Sequence, residues 1–185
     1  MKFILKLLLI IFYFQTLVNA DHIKEFQLEG VSIGDSLLDH FSDDEIKKKI
    51  KDVSYTKNHF SYSEFEKKNF SFKKYDALHV YYKKKDENFI IEAIDGIIDF
   101  GRDNCSKDQK QISEDIFLKI IDNQEIEKFS GKILRKEDKT GESYGIYTNI
   151  MTTKGELIVV ECNIWSKKFK FINNLRVRLI SHNFK

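Results

Sequence analysis

The chain has 185 residues, 42% of them apolar, with 31 Lys and Arg against 29 Asp and Glu, two cysteines and no proline. So even a charge balance excludes the basic excess that drives a domain onto phosphate backbones, and no nucleic-acid partner is expected. Two cysteines exclude a dense disulfide framework, and a chain of this length buries about two-thirds of its unfolded surface without a metal or other cofactor as a staple.

Residues 1–20 have the pattern of an export leader: Lys2 and Lys6 give a basic start, residues 7–14 are an unbroken apolar run, and Val18-Asn19-Ala20 offers a cleavage site before Asp21. The run is about half the ~20 residues of a spanning helix. Gln15 and Thr16 follow it at once, which argues against an uncleaved anchor. No cysteine follows Ala20, so the usual route to a lipid anchor is closed. The expectation is a periplasmic or secreted protein with no membrane span after cleavage and one domain over 21–185.

Phe26 and Leu28 alternate with polar neighbours in a short first strand, and Gly30 and Gly34 bracket a turn. Asp35 or Ser36 caps a short helix carrying Leu37, Leu38 and Phe41. Ser42-Asp43-Asp44-Glu45 is a capping box that opens a second short helix running to about Lys51. Residues 75–82 alternate, with Leu78, Val80 and Tyr82 on one face, and form a hairpin with the apolar strand over 89–98. Ser106-Lys107-Asp108-Gln109 reads as another capping box, leading a helix with Ile112, Ile116, Phe117, Ile120 and Ile121 on one face. After a loop over 123–140 come strands at about 144–152, 156–165 and 175–180, the first two joined by a tight turn at Lys154-Gly155. Helices grouped with antiparallel strands predict an α+β fold, short helices packed on an antiparallel sheet, with room for two similar helix-plus-strands halves, 21–103 and 104–185.

Cys162 shares a strand face with Ile158, Val160 and Ile164, and Cys105 sits just before the long helix. A disulfide from helix to strand is the expectation in an oxidising compartment; two buried free thiols are the alternative. The five histidines lack the spacing of a metal site.

Gly34-Asp35-Ser36-Leu37 resembles the opening block of the GDSL esterases and lipases. That resemblance implies an exported hydrolase with Ser36 as nucleophile. The remaining blocks do not follow: Asp76-Ala77-Leu78-His79 matches the Asp-x-x-His pair only by letters, inside a predicted strand. A turn glycine, a cap and a buried leucine explain the same four residues. Residues 30–41, a turn ending in Ile33-Gly34, a cap and a short apolar helix, resemble the start of small outer-membrane-assembly lipoproteins and of β-lactamase-inhibitor-like domains. That resemblance implies short helices before an antiparallel sheet and a role in binding other proteins without catalysis.

Residues 57–85 carry eight Lys against three acids, and residues 86–127 carry twelve acids against four bases. In the basic stretch Lys67, Lys68, Phe70, Phe72, Lys73, Lys74 and Tyr75 form a candidate surface on which aromatics press a partner while lysines hold its acids. The alternative is an irregular segment whose rings turn to the core and whose lysines are simply solvated. The function these features favour is an exported noncatalytic binding protein, envelope-associated or inhibitory, acting on an unknown protein or envelope component; the alternative is a hydrolase using Ser36.

Overall fold

The computed structural model describes residues 23, 26–52, 59–101, 105–121 and 126–184. The leader over 1–20 lies outside the described residues. Eight strands form one antiparallel sheet: β1 (Ile50–Asp52), β2 (Phe60–Glu66), β3 (Ala77–Lys83), β4 (Ile91–Asp99), β5 (Ile126–Leu134), β6 (Tyr144–Thr152), β7 (Leu157–Ile164) and β8 (Asn174–Ile180). Their spatial order is β1-β2-β3-β4-β8-β7-β6-β5. Each run of four is thus a meander of neighbours, and the two runs join only where β4 pairs with β8.

This corrects the expected α+β fold of short helices on a sheet. The sheet dominates, and among the described residues only α2 (Ser106–Ile121) is a helix of more than two turns; α1 (Asp43–Lys48) is six residues long. Three strands escaped the sequence reading. The helix expected to reach Lys51 ends at Lys48 and Ile50 enters β1; β2 lies in the Lys/aromatic stretch over 57–85, ahead of its expected strand; β5 lies in the expected loop over 123–140. The expected first strand around Phe26 and Leu28 is only an isolated bridge from Leu28 to Val31, closed by the left-handed pair Glu29 and Gly30.

Period-two alternation assigns the faces. Cross-strand partners place Phe65, Leu78, Val80, Ile94, Leu179, Val177, Leu175, Ile158, Val160, Cys162 and Ile150 on one face. These residues are buried in one cluster with Ile23, Leu28, Val31, Ile33, Leu37 and Ile46, so the N-terminal segment covers this face at the β1–β4 end. At the other end α2 lies against β5, β6 and β7. Its interface is partly polar: the Gln109 amide donates to Thr148 Oγ1 and to the Val160 carbonyl, both at 3.0 Å. Ile120 is buried there and Ile112, Ile116 and Phe117 pack against the core, whereas Ile121, expected on the same face, is exposed.

The Cys105–Cys162 disulfide ties the residue before α2 to the centre of β7, with Cα atoms 5.6 Å apart and both side chains fully buried. A buried disulfide fits an oxidising extracellular environment. Replacing both cysteines by alanine is expected to lower unfolding stability by about 2–5 kcal/mol, read from denaturant midpoints. Gly96 on β4 leaves space for the Tyr75 ring, which lies 2.5 Å from where a Cβ would stand. Gly96→Ala should therefore destabilise by about 1–3 kcal/mol by overpacking, measured the same way.

Candidate binding face

Among the described residues no helix covers the opposite face; Phe184 of the C-terminal turn packs on it at one end, against Phe60 and Tyr81. Strand alternation lines it with Phe60, Tyr62 and Glu64 from β2, His79 and Tyr81 from β3, Ala93, Asp95 and Ile97 from β4, Arg176 and Arg178 from β8, and Val159, Glu161 and Asn163 from β7. A row of charges crosses it at right angles to the strands. Lys51 pairs with Glu64, and His79 Nε2 lies 3.4 Å from the same carboxylate. Asp95, with no exposed surface, accepts from both nitrogens of one edge of the Arg178 guanidinium and from the Tyr81 hydroxyl at 3.1 Å. Arg176 Nη1 stands 3.7 Å from Asp95. Arg135, just past β5, reaches Glu161 and Asn163. Three of the four arginines in the chain stand in this row.

Burial and charge act on its titratable groups in opposite directions. Burial lowers the His79 pKa below the ordinary histidine value, Asp95 and Glu64 push it back up, Arg176 lowers it, and the net shift is downward. Burial pushes Glu64 up, but Lys51 and His79 outweigh it and hold the carboxyl below the usual range. At the loop end of β2–β4 a groove of about 610 Å³ opens between Glu64, Glu66, Asp76 and Asp99, with Lys67 and Lys68 on its rim. Burial, then the neighbouring Asp76, raises the Asp99 pKa.

The β7–β8 loop borders the face with an aromatic cluster. Trp165 and Phe171 have ring centroids 4.8 Å apart, Phe169 and Phe171 stack at 5.7 Å, and the Arg135 guanidinium lies 5.7 Å from the Trp165 ring. Phe171 is 57% exposed, and Lys167, Lys168 and Lys170 are exposed between the rings. The loop is held by its neighbour: the Ser166 N–H donates to Ser143 Oγ, and Ser143 donates to Asp138. The hydroxyls of Ser143 and Thr140 hold Asp138 far below the usual carboxylate range.

The surface expected over residues 67–75 is built differently. Phe70 packs edge-on against Phe41 and Phe65 at 5.2 Å, Phe72 stacks on Phe70, and Tyr75 is buried. The Glu29 carboxylate accepts the backbone N–H groups of Lys73, Lys74 and Tyr75. The four lysines are exposed, Lys68 paired with Glu66. Ser36 caps the turn Leu37–Asp39 by accepting from the Leu38 N–H, and its hydroxyl donates to the Asn88 carbonyl at 2.7 Å; His40 lies 3.3 Å from Asp35. Among the described residues no group of three His, Cys, Asp or Glu is placed to hold a metal, and no helix is long and apolar enough to cross a membrane.

Sequence reasoning missed the aromatic loop and the charge row. Two signals could have found them: Lys167-Lys168-Phe169-Lys170-Phe171 repeats the Lys/Phe interleaving of residues 67–75, and Arg176 and Arg178 alternate with Leu175, Val177 and Leu179. Compared with known proteins, the chain matches no family model, no curated protein and no solved structure.

The lowered His79 pKa carries a pH signature. The unfolded chain takes the proton near pH 6.5 while the folded state resists it, so stability is lost as pH falls through that value. Glu64 adds to the loss only below about pH 4.5. Thermal midpoints measured against pH should fall through the first window in the native chain, and less steeply in His79→Gln.

Proposed function

We propose that this is an exported, noncatalytic binding protein that engages a protein or envelope component through the open face of its sheet. The observation that carries this reading is the combination, on the face that no described helix covers, of a fixed row of charges with an exposed aromatic cluster at its border. Such a layout suits recognition: the aromatic anchors supply buried area and the charges set partner and register. Strands hold the charges, and the Ser166 hydrogen bond to Ser143 anchors the loop that carries the rings.

Other features support the same reading. The Ser36 hydroxyl is engaged with a backbone carbonyl and serves as a cap, roles that leave a nucleophile unneeded. The resemblance of residues 30–41 to domains that work by binding other proteins points the same way. The buried disulfide and the leader pattern of residues 1–20 support a periplasmic or secreted location.

The test places a photo-crosslinking side chain at Val159 on the open face or at Leu118 on the exposed side of α2, and exposes each protein to extracellular and envelope material. Crosslinks from Val159 are expected to be lost, with affinity weakened at least about tenfold, when Trp165→Ala or Phe171→Ala removes an anchor. Crosslinks made only from Leu118 overturn the assignment of the face. Labelling of Ser36 by a fluorophosphonate overturns the noncatalytic reading.

A further inference from the structure

We infer that two copies of this chain pair through β5, strand against strand, in a twofold antiparallel dimer centred on Gly131. This rests on the sheet edge and the side chains that flank it, and holds whatever the rest of the open face binds.

Strand β5 ends the sheet, runs nine residues in unbroken register with β6, and has no strand on its other side among the described residues. The opposite edge, β1, has three residues. The Arg135 N–H donates to the Ser143 carbonyl at 3.0 Å, which fixes the phase of the ladder. Ile133, Gly131, Phe129 and Glu127 therefore bond to β6, and Lys128, Ser130, Lys132 and Leu134 turn their N–H and C=O groups to the free edge. Natural proteins guard such an edge with bulges, proline or lysines that project past it. Here there is no bulge and no proline. Both lysines are folded back: Lys128 Nζ lies 2.7 Å from Glu114 and 4.6 Å from the Phe117 ring centre, and Lys132 Nζ lies 3.9 Å over Tyr144. The open-face side of the strand carries Phe129 at 52% and Ile133 at 47% exposure.

The same phase and the lysine positions restrict the register. Free-edge residues must bond to free-edge residues, which permits centres one residue apart. A centre at Ser130 sets Lys128 against Lys132 of the other copy, and one at Lys132 sets the two Lys132 side by side; like charges directly opposite are unfavourable. A centre at Gly131 avoids both. It bonds Ser130 to Lys132 and Lys128 to Leu134 of the other copy, and sets Phe129 opposite Ile133 and Glu127 opposite Arg135. In the non-hydrogen-bonded pairs, where side chains approach most closely, an aromatic then meets a β-branched residue and an acid meets a base. Gly131, without a side chain, sits on the axis.

Sedimentation equilibrium of the purified, disulfide-bonded protein tests this. A monomer–dimer equilibrium is expected. Lys132→Pro removes an outward N–H without touching the bonds to β6, and Phe129→Lys sets two lysines against the two Ile133; each is expected to raise the dimer dissociation constant at least about tenfold. Adding Ile133→Glu to Phe129→Lys should recover dimerisation, because residue 129 faces residue 133 of the other copy. If Lys132→Pro unfolds, as circular dichroism would reveal, the exposed-site pair at 129 and 133 decides. A chain that stays monomeric at every concentration, a dimer indifferent to Phe129→Lys, or failure of the double change to rescue overturns the proposal. A monomer whose β5 edge takes only an extended foreign peptide overturns it equally.

Discussion

The seam between β4 and β8 is the constraint from which the rest of the molecule follows, because it alone turns two four-stranded meanders into one sheet. On the covered side Ile94, Gly96 and Ile98 meet Leu179, Val177 and Leu175; on the other, Ala93, Asp95 and Ile97 meet Ile180, Arg178 and Arg176. A slip of one residue would carry Asp95 into the apolar layer and leave Arg178 without its carboxylate. Taking one partner from a buried ion pair costs about 3–5 kcal/mol, whereas the intact pair adds little stability over an apolar one. Asp95 and Arg178 therefore act mainly as a lock on register.

That seam decides which surfaces are left over. Joined at β4 and β8, the meanders place β1 and β5 outermost. Among the described residues the N-terminal segment covers β1–β4 and α2 covers β5–β7, both on one face, and the other receives only Phe184 of the C-terminal turn, against Phe60 and Tyr81. The disulfide reinforces the asymmetry by tying the start of α2 to the covered side of β7. An open face and a bare edge follow from having, among the described residues, too few helices for eight strands.

The sequence was most legible where one face of an element is apolar and the other is not. Alternation through Ile158, Val160 and Cys162 correctly turned the cysteine inward and paired it with Cys105. The β3–β4 hairpin, the last three strands, α2 and the capping box at Ser42 and Glu45 followed from the same kind of pattern. Legibility failed where both faces of a strand carry similar residues. In β2, Phe60 and Tyr62 lie on the open face and Phe65 on the covered one, so the aromatics hide the alternation. In β5, an edge strand, most side chains are exposed, and Glu127, Lys128, Ser130 and Gly131 read as loop. Missing these strands made the fold look more helical than it is. For the candidate site, the Lys/aromatic composition of residues 67–75 was legible, but the direction of its rings was not. Only tertiary packing shows that Phe70 and Phe72 close over Phe41 and Phe65, while the similar string after Trp165 keeps Phe171 in solvent.

On the proposed reading, the two kinds of residue on the open face would contribute differently to recognition. Charges already paired across the sheet gain little when a partner covers them, since their attraction is spent within the protein and desolvation offsets what remains. In a complex they would penalise a partner that fails to complement the row, and so favour discrimination. Affinity has to come from groups that lose water without losing partners: Trp165, Phe169 and Phe171 at the border. Arg176 stands between the two classes. Its Nε has no hydrogen-bond partner, and its nearest carboxylate, Asp95, is already held by Arg178. A carboxylate from a partner arriving over Arg176 would meet a guanidinium whose charge is incompletely answered.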